Sequence, residues 1–409
     1  FFTPARNYLN HLKLRLSWGQ LGNQAGIGLY DHYQYINIGG TYPFGNSNNP
    51  LKVPNASLGA MPAVDRTWET IETYNAGIDF ATLNNRLSGT FDYFIKDNKN
   101  MFYAEEFPTI LGTSAPSING AHVRTNGWEL TLNWKDKIGK VGYRIGLNLS
   151  DNKTKVISLS DSRNPGHGLM GFVEGYPTNS FFIYEFDGFI KDEADLADYK
   201  TKMKGGVPTN LRVGDAKYVD KDGDGVLEPT LYKEGDPNSG DIVYKGTNNQ
   251  RYLYGINLGL DWKGIDVSAF LQGVGKWDCI NGTYAGGGEV WKQSSQYFYH
   301  NTWSPDRPNA EYPRLTQDGG IHGYNYQWSD APYKFFNNRY LRLKEVQIGY
   351  TFPTTLTKKI GVEKLRVYAT GMNLLEWDNL PNGFDPEAPY TENLIPFSRT
   401  YSIGVNVQF

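Results

Sequence analysis

Apolar and polar residues alternate with period two in ten separate stretches of this chain. The last is the cleanest. Tyr401, Ile403, Val405, Val407 and Phe409 occupy the odd positions, and small or polar residues fill the even ones. Such a pattern predicts a β-strand with one apolar face. The others fall at 12–18, 74–80, 87–95, 128–134, 143–149, 252–262, 265–271, 340–350 and 364–372. In most of them the second face carries Lys, Arg, Asn, Asp, Ser, Thr or Gly. One strand changes phase: Leu341 and Leu343 have one parity, Val346, Ile348 and Tyr350 the other. A one-residue bulge at Lys344-Glu345 would restore a single apolar face.

The segments between these stretches fall into two classes that alternate along the chain. Those at 81–86, 135–142, 263–264 and 351–364 are short. Those at 19–73, 96–127, 150–251, 272–339 and 373–400 are long. Ten antiparallel strands running up and down would put all short turns on one side and all long loops on the other. An outer-membrane barrel has this asymmetry, with short periplasmic turns and long extracellular loops. A soluble sandwich or propeller also alternates. Against it stand the strand lengths, the aromatics at strand ends, and loops far longer than compact soluble domains carry without function. The reading is all-β: a transmembrane, antiparallel, up-and-down β-barrel.

Composition fits that reading. The mean hydropathy is −0.54, and no run of 18 apolar residues exists, which excludes transmembrane helices but not strands, whose alternation halves the apparent hydropathy. Aromatics make up 15% of the 409 residues, which suits membrane-boundary girdles and binding loops. The net charge of −3 gives no case for nucleic acid. The lone Cys279 has no metal-ligand company and reads as structural. The chain opens on Phe1 with no Met and no signal peptide, so a fragment or processed piece is expected.

Several phrases resemble the SusC/RagA branch of TonB-dependent outer-membrane transporters. They are Leu12–Asn23 (LKLRLSWGQLGN), Asn126–Trp134 (NGWELTLNW), Thr302–Leu315 (TWSPDRPNAEYPRL), Asn338–Pro353 (NRYLRLKEVQIGYTFP), Gly383–Pro389 (GFDPEAP) and the terminal RTYSIGVNVQF. The resemblance covers the whole chain in order. It implies a barrel of 22 strands with a plug inside, in the bacterial outer membrane, importing oligosaccharides or, in some members, peptides. It further implies a SusD-like surface lipoprotein as lid, energy from the TonB complex, and a pair of transporter–lipoprotein units. About ten strands are present, so residues 1–409 are expected to be the C-terminal portion of the barrel, with the plug and first strands absent from this chain. Ten strands alone would leave open edges in lipid.

The sharpest local motif is Asp220-Lys-Asp222-Gly-Asp224-Gly-Val226-Leu-Glu228. It follows the calcium-loop pattern, with carboxylates at positions 1, 3 and 5, Gly at 6, a backbone carbonyl at 7 and Glu at 9. Ca2+ is the expected cofactor, held by Asp220, Asp222, Asp224, Val226 and Glu228. Leu231 stands where the bidentate Glu of position 12 belongs, so Asp215, Asp236 and Asp241 are substitute ligands to test. The bland alternative is a solvated acidic turn. The 272–339 loop is dense in aromatics, and Trp291, Tyr297, Tyr299, Trp303, Tyr326 and Trp328 are the candidate substrate-binding rings, able to stack on sugar faces or apolar peptide side chains. Alternatively they pack on one another or on the lid. Lys13, Arg15 and Arg144 are expected as lumen charges bonded to a plug or to water.

No catalytic signature emerges. The six histidines are scattered without metal-binding spacing, Glu105 and Glu106 are adjacent and point to opposite faces of a strand, and no nucleophile elbow or phosphate loop is present. An enzyme is not expected. A passive porin-like channel and a secreted carbohydrate-binding β module remain the rival functions.

Overall fold

The computed structural model describes residues 9–45, 51–59, 61–62, 65–104, 110, 116–160, 165–280, 300–380, 385–388 and 398–409. Ten strands form one sheet: β1 (Leu9–Asn23), β2 (Glu69–Thr82), β3 (Leu87–Ala104), β4 (Ser117–Ile138), β5 (Val141–Leu159), β6 (Arg251–Trp262), β7 (Ile265–Lys276), β8 (Tyr340–Thr351), β9 (Lys364–Asp378) and β10 (Thr400–Gln408). Each pairs antiparallel with the next in sequence, and β1 and β10 are the edges. All ten alternating stretches are strands of this sheet, the wall of an up-and-down barrel.

Register makes the apolar positions continuous. One row runs Leu12, Phe80, Gly89, Leu132, Leu147, Ile256, Leu271, Leu343, Leu375 across nine strands. A second runs Trp134, Ile145, Leu258, Ala269, Val346, Gly371, Tyr401. These side chains point away from the protein. Leu375 is 51% exposed and Tyr401 73%. An apolar band of this extent needs a nonaqueous neighbour, and lipid supplies it. No helix among the described residues is long and apolar enough to cross a membrane; the crossing elements here are strands.

The phase change in β8 is the expected bulge. Phe270 pairs with Glu345 but Leu271 pairs with Leu343, so Lys344 is the extra residue. It keeps Leu341 and Leu343 on the same face as Val346, Ile348 and Tyr350. The Lys263-Gly264 turn has positive φ at both positions, 48° and 87°, the type I′ pattern of a two-residue hairpin.

The opposite face is polar and cross-linked. Arg15 of β1 bonds Asp79 at 2.8 Å and Asp92 at 2.7 Å, tying three strands. Arg144 bonds Asp261 at 2.8 Å, and Arg366 bonds Asp266 and Gln347. Cross-strand carboxylates of the wall itself thus engage both Arg15 and Arg144. Arg366 lies flat over Gly349, where an added Cβ would come within 2.5 Å of its guanidinium.

Strands are longer than their alternating stretches. The 22 residues of β4 span roughly 70 Å at about 3.3 Å each, well beyond a hydrocarbon core of about 30 Å. The surplus, 117–127, lies on the long-loop side, where Ala121 and Val123 are buried. There the two longest loops merge into one cap. Its core joins Phe182, Tyr184, Ile190, Leu211, Tyr218 and Ile242 to Ile321 and Tyr324. Gly168–Met170, Ser180–Tyr184 and Ile242–Thr247 make a three-stranded sheet with the second in the centre. Among the described residues it also carries the helices α1 (Glu193–Lys202), capped by Asp192, and α2 (Gly319–Asn325), capped by Asp318. Most of the fully buried side chains cluster in this cap; Arg342 of β8 and Val156 of β5 are buried on wall strands.

Candidate functional site

The acidic loop follows the short strand Ala216–Tyr218 in the cap. The Asp220 carboxylate accepts from the amides of Gly223 and Gly225, each at 2.8 Å. Asp222 accepts from the Asp224 amide at 3.2 Å, and Asp224 from the Val226 amide at 2.6 Å. Gly225, at φ +87°, allows the reversal. One oxygen from each of Asp220, Asp222 and Asp224 lies within 4.8 Å of the others. Asp241 supports the loop from beneath. Its buried carboxylate accepts from the Lys221 amide at 2.6 Å and the Glu228 amide at 2.7 Å. Burial pushes the Asp241 carboxyl up, and the nearby charges of Asp222 and Asp220 add to the rise.

This donor set fits a hard divalent cation: three convergent carboxylates on a loop whose own amides hold them in place. Three other carboxylates weighed from the sequence are placed differently. Glu228 is exposed and outside the three-carboxylate group. Asp215 is fully buried and committed to Arg314 at 2.7 Å and Asn325 at 3.0 Å. Asp236 caps its own turn through the Asn238 amide.

Of the candidate rings, Trp291, Tyr297 and Tyr299 lie outside the described residues. Trp303 is half-buried and packs on Gly214, so closely that a Cβ there would sit 2.2 Å from the indole. Tyr326 is largely buried against Tyr333, at 5.9 Å between ring centroids, and His322, at 4.8 Å. Trp328 is half-buried, and its carbonyl accepts from the Tyr184 amide at 2.9 Å. Much of the aromatic density of this loop is cap core, Tyr312, Tyr324 and Tyr333 included. Tyr326 and Trp328 nevertheless share a depression of about 580 Å³ with His167, Val207, Tyr324 and Gln327. It brings together residues far apart in sequence, and no spacing rule could have assembled them.

A third construction ties the wall to the 385–388 segment. Arg342 of β8 is 1% exposed and bonds Asp385 at 2.7 Å, Glu387 at 3.1 Å and Glu376 at 3.2 Å. Lys344 adds a contact to Glu387 at 2.8 Å. Sequence reasoning did not single out this cluster. An Arg at an even position beside the phase change, followed by the acidic GFDPEAP phrase, was its only trace.

No protein-family model matches the chain. It is similar to the TonB-dependent receptor SusC of Bacteroides thetaiotaomicron, 26% identical over 436 aligned positions that cover 98% of the chain and 38% of SusC. It is likewise similar to the TonB-dependent receptor P3 of Formosa agariphila, 27% identical over 370 positions, 84% of the chain and 34% of the receptor. The chain thus spans under half the length of the curated relatives it matches. The solved RagAB peptide transporter superposes on the whole chain with a TM-score of 0.74 at 23% identity, over 42% of the transporter chain.

Proposed function

We propose that this chain, similar along its length to SusC-type TonB-dependent receptors and sharing the barrel fold of RagAB, is part of the wall and external cap of an outer-membrane importer for oligosaccharides. The observation that carries the proposal is the unbroken apolar band across ten strands, with short turns at one end and a folded cap at the other. β1 and β10 present free edges, which hydrocarbon does not tolerate. Further strands of the same polypeptide would complete the wall around a plug. A SusD-like lipoprotein would cover the cap, TonB would pull on the plug from the periplasm, and two such units would pair.

Calcium at Asp220, Asp222 and Asp224 would stiffen the cap. An ion that binds only the folded loop stabilises it by mass action and offsets the entropy of ordering it. Peptide cargo is the second reading, favoured by the likeness to the RagAB peptide transporter.

The test is uptake. Cells in which the coding region for this chain is disrupted are fed fluorescent oligosaccharide and peptide pools, with and without a protonophore. Loss of energised oligosaccharide uptake supports the proposal, loss of peptide uptake alone moves the cargo to the second reading, and unchanged uptake of both rejects import.

A further inference from the structure

The lipid-facing side of β4 and β5 continues past its apolar residues. On the loop side the apolar band closes on aromatic side chains, Trp18 paired with Tyr74 and Tyr93 with Trp128, as at a membrane boundary. Register carries the same face beyond them. Asn126 pairs with Lys153 and Arg124 with Lys155, in unbroken register with Leu132 and Leu147. All four therefore share the parity of the lipid-facing row. They are exposed, whereas Val123 and Val156, of the opposite parity, are buried.

Three cations and an amide thus fill one tile of two strands. Residues directly opposed in a sheet stand about 4.5–5.5 Å apart, and like charges there are destabilising, yet Arg124 faces Lys155. Lys153 lies two residues along β5, roughly 6.6 Å away. The nearby carboxylates do not neutralise the lysines. Asp97 accepts from Arg124 Nε at 2.8 Å and Nη2 at 3.0 Å, and lies 2.8 Å from His122 Nε2. The Nη1 of Arg124 takes no part in that pair. Asp151 is paired with Arg251, and Glu174 accepts from the Leu159 amide at 3.0 Å. Glu72, on the same boundary at β2, accepts from Lys99 at 2.6 Å, Tyr74 at 2.7 Å and Trp18 at 2.9 Å. Among the described residues neither Lys153 nor Lys155 has an ion-pair partner.

We propose that this tile binds the phosphate of an outer-leaflet lipid headgroup. Lys153, Lys155 and the Arg124 Nη1 donate to it, and the acyl chains of the same lipid lie along the apolar band below Trp128. The proposal rests on reading β4 and β5 as membrane wall. Two observations favour a lipid over a dissolved anion or an acidic protein. The tile is the direct continuation of the lipid-facing row, and it begins at Asn126, the next residue of that face after the boundary aromatic Trp128. Long cationic side chains at this height keep their stems on apolar surface and their heads at the headgroup level. A phosphate placed between them offsets the repulsion that the register imposes on Arg124 and Lys155 and gives each cation a charge-assisted hydrogen bond.

The protein as extracted from outer membranes, delipidated in neutral detergent, is titrated with monophosphoryl lipid A, with its dephosphorylated twin and with inorganic phosphate, and binding is read by native mass spectrometry. The phosphorylated lipid is expected to bind at least about tenfold more tightly than its twin. The double variant Lys153→Gln/Lys155→Gln is expected to erase that difference. Both positions are exposed, and an unchanged gel shift between unheated and heated samples checks that the variant is folded. Lys135→Gln, at an exposed lysine toward the short-turn end of β4, is expected to keep the difference. Equal binding of the two lipids overturns the site while leaving the wall reading intact, and so does discrimination that survives in the double variant. Inorganic phosphate binding as tightly as the phosphorylated lipid overturns the assignment to a lipid. Protein that stays soluble without detergent fails the wall reading instead, and the site with it.

Discussion

Deleting Lys344 tests whether the bulge in β8 sets the face of that strand. Without the extra residue, the two halves of β8 differ in parity and one must turn over. If residues 345–350 turn, Val346, Ile348 and Tyr350 leave the lipid face, at about 1.5–3 kcal/mol for each side chain. If 340–343 turn, Arg342 leaves Asp385, Glu387 and Glu376. Breaking a buried charge cluster costs about 3–5 kcal/mol, and the partial exposure of these carboxylates puts the loss near the lower end. Leu341 and Leu343 leave the lipid face in the same turn, so the charge cluster alone sets a floor, and either route costs at least about 3 kcal/mol. Lys344→Ala keeps the residue count and loses only the half-exposed contact to Glu387, worth about 1 kcal/mol or less. Urea unfolding in detergent, followed by tryptophan fluorescence and by the gel shift between unheated and heated samples, measures both. The deletion is expected to be less stable than the alanine variant by at least about 2 kcal/mol, the difference of those two costs. Equal stability would refute the role of Lys344 as the parity-setting residue.

Calcium removal gives a second outcome: with calcium at about 100 times its dissociation constant, chelation is expected to lower cap stability by about 2.7 kcal/mol, and Asp224→Asn to abolish that response while Glu228→Gln keeps it, read by calorimetry. The cap should also weaken in acid. Hydrogen bonds from Lys221 and Lys245 hold the Glu185 carboxyl below the usual glutamate range, so its contribution is complete above the unfolded value near 4.3 and fades as pH falls through the lower folded value. Glu185→Gln should flatten that part of the stability profile in a pH series of thermal melts. In the wall, Gly349→Ala is expected to displace Arg366 from Asp266 and cost about 1–3 kcal/mol, whereas Gly19→Ala, with open space around its Cβ, should cost almost nothing in the same unfolding assay.

The wall was legible because membrane strands obey a strict local rule. Lipid on one face and polar groups on the other force period two, so Tyr143 to Leu149 or Leu12 to Trp18 declare themselves without any partner. The bulge at Lys344 was legible for the same reason, as a break in parity. The strand ends were not. Beyond Asn126 toward Ser117, β4 runs past the lipid and buries Ala121 and Val123 in protein, so lipid no longer dictates its pattern. The central cap strand Ser180–Tyr184 is buried on both faces and reads as a plain apolar run. Aromatics in irregular loops carry no period, which is why Tyr326 in the core and Trp328 at the depression looked alike in sequence. The Asp triplet was legible because its three carboxylates converge within one short, local loop. The depression lined by His167, Val207, Tyr324 and Trp328 is built by tertiary packing across distant segments, and no one-dimensional signal marks it.

The central claim is that this chain is membrane wall and cap within a larger, lidded transporter. The most direct measurement is the intact mass of the native, unheated assembly extracted from outer membranes, with peptide mapping of each component. The account predicts this sequence within a much longer polypeptide, accompanied by a lipoprotein. A free polypeptide of 46.2 kDa, soluble without detergent and alone, would contradict it.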